Sequence, residues 1–445
     1  MKLEFTRKVN NNHLLIKFCI NNNNSSDNSS DNNNLFNLDT KAMFYSTKKA
    51  AEKIADYLDI NKPNEICISL SNIDNKYKLL ILQLIAKQLY VFHKYRTDRT
   101  DRTDLKDLCI YVSDHESNKK LINHIIHQIN ITNINRDFQN EPANIINPET
   151  FCTYAMKLLG KHKHLKINVL NNQDLQNQGF NLIYQMGKAS VNKPKFMNIY
   201  YIQNPDYKTI CLIGKGVCFD LGGVDIKKGT EDLVSMKGDK TGGCTVVSLI
   251  KYIIESKMKI NIIGLIPLIE NVISGNSVLP GDIIKSYSGK SVEITNTDAE
   301  GRIIMADAFG FSETLKNIDY IIDLATLTGS AEEYHCDTSA VVYTTNVALQ
   351  DIIEKLGEEV GDRIYSLPNW PEYVADIKSN VANVKNSYFK NCKKSGAFMA
   401  SMFLSYFVPE KLRDKWVHFD ITHNFGKYSN ANTTILLINL LNRLA

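Results

Sequence analysis

Two stretches of this chain carry residue types whose spacing could do metal chemistry. Asn296-Thr-Asp-Ala-Glu-Gly-Arg302 sets Asp298 and Glu300 two positions apart and follows them with a glycine and a guanidinium. If the segment is extended, residues i and i+2 share a face, so both acids project together. A helical pattern opens at Arg302, which would aim free backbone N–H groups back at the acids. Paired oxygen donors beside a helix start suit a hard or borderline metal ion and an anionic reaction partner. The same residues would also serve a plain turn before a helix with acids near its N-terminus.

The second stretch runs Ile213-Gly-Lys-Gly-Val-Cys-Phe-Asp-Leu-Gly-Gly-Val-Asp-Ile-Lys227 and continues with Met236-Lys-Gly-Asp-Lys-Thr-Gly-Gly243. Lys215, Asp220, Lys227 and Asp239 stand here among glycines, which let a backbone turn tightly and approach a ligand. With Asp298 and Glu300, the set Lys215, Asp220 and Asp239 offers enough donors for two divalent ions sharing carboxylates. A lysine joins such a set only as a neutral amine, and a neighbouring dication can depress its pKa that far. Two metals would bridge a water, lower its pKa and polarise a carbonyl. Lys227 and Arg302 are then left to stabilise an oxyanion or hold an anion. The G-x-x-x-x-G-K-[ST], H-E-x-x-H and G-x-S-x-G patterns are absent, which removes a Walker site, a thermolysin-like site and a serine-hydrolase elbow. Residue chemistry alone stops at a two-metal hydrolase of carbonyl or phosphoryl substrates.

The elements that must position these side chains are those of an α/β domain. Apolar runs predict strands at 209–213, 259–266, 292–294, 320–324 and 416–419, all in one sheet. Helical patterns at 243–256, 302–316, 346–360, 395–407 and 433–444 would cover it. The proposed ligands fall just after strands, where α/β sheets place their sites. His418, within a strand-like run, is expected to satisfy a core hydrogen bond. The N-terminal part alternates helix and strand at 47–58, 66–70, 76–95, 108–112 and 118–129, predicting a mainly parallel α/β unit. Residues 21–34, all Asn, Ser or Asp, read as a disordered insertion. The Arg-Thr-Asp repeat at 96–104 reads as an exposed loop expansion.

A chain of 445 residues exceeds what one core supports, and 43% hydrophobic residues can fill two. The net charge of +4 is too small to argue for nucleic acid. No apolar stretch long enough for a membrane span occurs, and no signal-peptide core follows the N-terminus. The nine scattered cysteines, without a C-x-x-C pair, read as reduced thiols, several of them buried, in a cytoplasmic protein.

These motifs resemble the leucine aminopeptidases, the cytosol aminopeptidase family of dizinc exopeptidases. The resemblance covers roughly residues 141–445. It includes Gly264-Leu-Ile-Pro-Leu-Ile-Glu-Asn271 with its continuation to Asp282, and Asp323-Leu-Ala-Thr-Leu-Thr-Gly329. It extends to Ser379-Asn-Val-Ala-Asn-Val-Lys-Asn386 and Trp416-Val-His-Phe-Asp420. The resemblance implies an N-terminal macro-like α/β domain (1–140) and a C-terminal α/β/α catalytic domain with a mixed central sheet (141–445). One metal would be held by Lys215, Asp220, Asp239 and Glu300, the other by Asp220, Asp298 and Glu300. The ions would be zinc or manganese, with magnesium or cobalt as substitutes. Lys227 would bind the scissile carbonyl oxygen, and Arg302 would seat a bicarbonate acting as base for the bridging water. Met236, Asn296, Thr326, Leu327 and Gly329 match substrate-binding positions. The family implies removal of leucine or other hydrophobic N-terminal residues from short peptides by a homohexamer. The alternative it leaves is a non-catalytic DNA-binding or scaffold protein on the same fold.

Three departures from the family pattern stand out. Leu221 replaces a usual serine. Lys240 replaces a usual methionine, and its side chain is expected to point to solvent. The segment after Asp420 lacks the glycine- and proline-rich loop common in relatives, which bears on side-chain selectivity and subunit contacts.

Overall fold

The computed structural model describes residues 2–6, 14–21, 34–39, 43–61, 65–71, 73–97, 109–335, 339–370, 375–387, 396–422 and 430–445. The body of the Asn-rich insertion, most of the Arg-Thr-Asp repeat and most of the departed C-terminal loop lie outside these residues. Residues 1–134 with 357–361 form one compact unit, and 135–356 with 362–445 form another.

In the first unit, β1 (Lys2–Thr6), β2 (Leu14–Asn21), β3 (Asn34–Asp39), β4 (Glu65–Ser69) and β5 (Cys109–Ser113) form an all-parallel sheet in the order β1-β5-β4-β2-β3. The intervening helices are α1 (Met43–Asn61) and α2 (Asn75–Leu89), with α3 (Lys119–Asn140) following β5. Ile66, Ile68, Ile110 and Val112 are fully buried, as expected of a sheet covered on its faces. β1, β2 and β3 carried no clear sequence signal. The helix expected over 76–95 stops at Leu89, where Tyr90 turns extended and its N–H donates to Lys87. The helix expected over 118–129 runs on to Asn140. Its polar last turns, from Asn135 on, belong to the second unit and escape periodicity because Asn135 and Gln139 are buried there, with amides donating to Thr245 of the same unit.

The second unit opens with α4 (Pro148–Leu159), β6 (Leu165–Leu170), α5 (Asn172–Asn177), α6 (Asn181–Gly187), β7 (Lys195–Tyr201), β8 (Thr209–Gly214) and β9 (Gly216–Asp220). There follow α7 (Thr230–Ser235), α8 (Thr241–Ser256), β10 (Asn261–Asn271), β11 (Ile283–Lys285), β12 (Ser291–Glu293), α9 (Glu300–Ser312) and β13 (Tyr320–Ala325). It closes with α10 (Gly329–His335), β14 (Ala340–Tyr343), α11 (Val347–Val360), β15 (Ile364–Ser366), β16 (Val384–Lys385), α12 (Gly396–Phe407), β17 (Trp416–Asp420) and α13 (Thr434–Leu444).

The central sheet is mixed and runs β15-β14-β17-β13-β8-β10-β7-β6, with β9 also on β10. Side chains alternate across a strand, and β10 shows the consequence. Gly264 faces Val246 and Ile250 of α8, whereas Ile263 and Leu265 share a core with Ile303 and Ile304 of α9. The two helices therefore cover opposite faces, giving the α/β/α layering. α8 is buried along nearly its whole length, so its pattern is apolar all round. The strand expected at 292–294 does not join this sheet. It is β12, three residues long, in a separate sheet ordered β11-β12-β16. β10 also continues five residues past the expected end, through Pro267. That proline lies opposite the break between β8 and β9, since Leu265 pairs with Ile213 and Leu268 with Gly216. A missing N–H costs nothing where no ladder bond is due.

Among the described residues no helix is long and apolar enough to cross a membrane. Cys67, Cys152, Cys211, Cys218 and Cys244 are buried free thiols.

Candidate metal centre

Lys215 is the single residue between β8 and β9. Its N–H donates to the Leu324 carbonyl at 2.9 Å, and its own carbonyl accepts from Gly243 at 2.8 Å. The backbone is thereby tied to β13 and to the start of α8. Its Nζ reaches Asp239 Oδ1 and Glu300 Oε1, both at 2.9 Å, and the Thr326 carbonyl at 2.8 Å.

Asp220 ends β9. Its Oδ1 accepts from the Gly222 N–H at 2.9 Å, and its Oδ2 lies 2.8 Å from Lys227 Nζ. Gly222 adopts φ +92°, which turns the chain so that Lys227 points back at the acids. Asp239 lies in a short 3-10 turn, Met236–Lys240, where Thr326 Oγ1 donates to its Oδ1 at 2.7 Å. The Asn296 motif is not extended, as the spacing argument supposed. Thr297 and Asp298 form a turn in which the Asp298 N–H donates to Asn296 Oδ1 at 2.7 Å, and α9 begins at Glu300. The two acids converge because the chain turns between them.

One oxygen from each of Asp220, Asp298 and Glu300 lies within 4.8 Å of the others. Lys227 Nζ bridges Asp220 and Asp298, the latter at 2.5 Å. Burial and the neighbouring Glu300 and Asp239 carboxylates drive Asp220 well above the usual carboxylate range, against the pull of Lys227. Burial pushes Asp239 up to about 7, with Lys215 opposing and Glu300 adding. Burial also acts to raise Glu300, but Lys215 and Lys227 outweigh it and hold the carboxyl below its ordinary value. Burial acts to lower both lysines, but the surrounding acids prevail and raise them.

This donor set fits divalent cations. Four carboxylates face two ammonium groups, an excess of acid that buried groups relieve by taking up protons or by gaining positive charge, which a divalent ion supplies. Asp239 Oδ2 is buried without a hydrogen-bond partner among the described residues. Oxygen donors with one amine suit zinc, manganese or magnesium, and differ from the Cys/His set of a structural zinc.

A cleft of about 1010 Å³ opens on these groups, lined by Lys215, Asp220, Lys227, Asp239 and Asp298. Met236, Thr326, Leu327 and Gly329 line it too. Glu300, Asn296 and Arg302 do not line it. Arg302 is buried on the first turn of α9, where one guanidinium nitrogen donates to the Asn386 carbonyl at 3.0 Å.

Lys240 corrects an expectation. It does not reach solvent but is fully buried, and its ammonium donates to the carbonyls of Gln139 (3.0 Å), Glu141 (2.8 Å) and Lys237. Burial lowers its pKa. The turn holding Asp239 is thus pinned to the last turn of α3 and the residue that follows it. Leu221, the other departure, is half-buried, and its N–H donates to the Asn271 carbonyl at 2.8 Å.

Sequence reasoning missed the uncharged residues that hold the acids in place. Asn386 Oδ1 accepts from the Thr295 N–H at 2.8 Å, and its Nδ2 donates to the Asn296 carbonyl at 2.6 Å. Thr297 Oγ1 donates to the Gly222 carbonyl at 2.7 Å, joining the two acidic stretches. Asn271 reaches two of the acids at once. The one available signal was that Asn271 and Asn386 both lie in recognisable motifs. His418 behaves as expected, its Nδ1 lying 2.6 Å from Asp323 Oδ1 in the core.

A profile of the cytosol aminopeptidase family catalytic domain matches residues 133–437. The chain belongs to the cytosol aminopeptidase family. It is 35% identical over 349 residues to the cytosol aminopeptidase of Encephalitozoon cuniculi (strain GB-M1), covering 75% of this chain and 71% of that one. It is 37% identical over 309 residues to a probable cytosol aminopeptidase of Aquifex aeolicus (strain VF5), covering 68% of this chain and 61% of that one. The fold matches the bottromycin maturation enzyme BotP with a TM-score of 0.81 at 21% identity, over 97% of this chain and 99% of the other. A BotP structure in complex with Mn gives 0.82. Members of the cytosol aminopeptidase family are metal-dependent peptidase hydrolases, and the converging acids lie within the matched domain.

Proposed function

We propose that this chain is a metal-dependent aminopeptidase that removes the N-terminal residue, leucine or another hydrophobic one, from short peptides. The observation that carries the reading is the meeting of Asp220, Asp298 and Glu300 oxygens within 4.8 Å beside Lys215, Asp239 and a substrate-sized cleft. Lys215, Asp220, Asp239 and Glu300 would hold one divalent ion, and Asp220, Asp298 and Glu300 the other. Two such ions, zinc or manganese, would lower the pKa of a shared water and polarise the scissile carbonyl.

The remaining work falls to the chain's own side chains. Lys227, whose Nζ sits between Asp220 and Asp298, directs positive charge at the carbonyl oxygen as it becomes an oxyanion. Arg302 is the side chain suited to seat a bicarbonate serving as base, because a guanidinium fork matches a planar anion. Val234, Met236 and Leu327 are the apolar members of a lining that is otherwise mostly polar and charged, and they would receive a hydrophobic side chain. Asn296 lies outside the cleft wall with its Oδ1 accepting from the Asp298 N–H, so its part would be to hold the turn that carries Asp298 rather than to touch the peptide. Assembly as a homohexamer in the cytoplasm completes the reading and rests on the family.

The test is hydrolysis of leucyl anilide by purified protein supplied with manganese or zinc, together with a metal count. Two ions bound per folded chain with no release of leucine would overturn the leucine preference, and no release from methionyl or phenylalanyl anilide either would overturn the peptidase reading.

A further inference from the structure

Asn271 is the last residue of β10 and is almost fully buried. It pairs directly with Asp220 across the β9–β10 ladder, just past a register shift at Ile269 and Glu270. A shift of this kind re-aims the side chains beyond it. The Asn271 amide nitrogen donates to Asp220 Oδ1 at 2.8 Å and to the Thr297 carbonyl at 3.0 Å, with Glu300 Oε2 at 3.4 Å. All three partners are acceptors, so the amide has one sensible orientation.

These contacts divide each acid into two unlike oxygens. Asp220 turns Oδ1 to Asn271 and Oδ2 to Lys227, while Glu300 turns Oε2 to Asn271 and Oε1 to Lys215. One amide therefore holds the carboxylates at the end of β9 and the start of α9, and also the turn that carries Asp298. A neutral donor does this without adding charge that would compete with a metal.

We infer that Asn271 is a positioning residue for the metal centre, orienting Asp220 and Glu300 so that their outer oxygens face the cations. The inference rests on the metal-binding reading of these acids. Partners that orient ligating carboxylates are commonly worth about 10–100-fold in metal affinity.

The experiment measures Mn2+ affinity of the full chain by competition with a chromophoric chelator, alongside far-UV circular dichroism. Asn271→Leu keeps the side chain's shape and removes both donors. Asn271→Ala, which also lacks the donors, serves the same purpose should the leucine variant fail to fold. The expected result is a folded variant whose Mn2+ affinity falls by about 10–100-fold, with the loss persisting in buffer without peptide. A folded variant that binds Mn2+ within twofold of wild type overturns the inference. Wild-type protein that binds no Mn2+ or Zn2+ overturns the metal reading itself, a separate failure visible before any variant is made.

Discussion

Lys215 reaches Glu300 by passing over Gly301: a Cβ at position 301 would lie 2.6 Å from Lys215 Cε and 2.8 Å from its Nζ. A lysine tip can normally swing aside, but this one is held by Asp239, Glu300 and Thr326. Gly301→Ala should therefore leave α9 intact, since alanine is the better helix former by about 1 kcal/mol. It should cost roughly tenfold or more in metal affinity. Chelator competition with unchanged circular dichroism checks this. Undiminished affinity would mean that Lys215 finds another route.

Lys227 faces the cleft and bridges Asp220 and Asp298, so its loss should act on the chemical step. We expect Lys227→Met to lower kcat by about 10²–10³-fold, the usual cost of removing an oxyanion donor. KM should change far less. Steady-state kinetics on leucyl anilide with a metal count would decide, and a change confined to KM would assign Lys227 to binding alone.

Lys240 satisfies three buried carbonyls, and methionine there would leave them unpaired. Lys240→Met should lower stability by about 1–3 kcal/mol, the cost of unmet buried polar groups. Urea unfolding reads the change. Wild-type stability in the variant would show that water takes over the three carbonyls.

Asp307, on α9, accepts N–H groups from Leu182 (2.8 Å), Ile183 (3.1 Å) and Tyr287 (2.7 Å). Burial nevertheless pushes its carboxyl up to about 7. The folded state then binds more protons than the unfolded one between about pH 4 and that value, so the stability linked to this group falls as pH rises through the window. The slope reaches at most about 1.4 kcal/mol per pH unit. Asparagine at 307 does not titrate. The difference in unfolding free energy between wild type and Asp307→Asn should shift along that slope between pH 4 and 7, and a pH-independent difference would refute it.

Much of the second unit was readable because its elements carry strong periodic signals. The strands at 209–213, 320–324 and 416–419 and the helices at 243–256 and 433–444 appear within two residues of expectation. β14 and β15 escaped because strands of four and three residues carry too little pattern to tell from loops, whereas β6 and β7, at six and seven residues, were missed without that excuse. β12 shows the limit of a local reading, since a three-residue apolar run reveals nothing about which sheet it will join. Lys240 shows the same limit for side chains. A lone lysine in a loop is usually solvated, and only the carbonyls of Gln139 and Glu141, about a hundred positions upstream, turn it inward.

From residue types and spacing alone came the list of acids, the two lysines and the kind of ion they suit, because charge and ligand chemistry belong to side chains wherever they lie. Tertiary structure alone decided that a turn, not an extended strand, brings Asp298 and Glu300 together. It also decided that Asn271 and Asn386 hold them there, and that Lys215 needs the bare backbone of Gly301. All but the first of those relations join stretches tens of residues apart, and a distance between side chains exists only once the chain has folded.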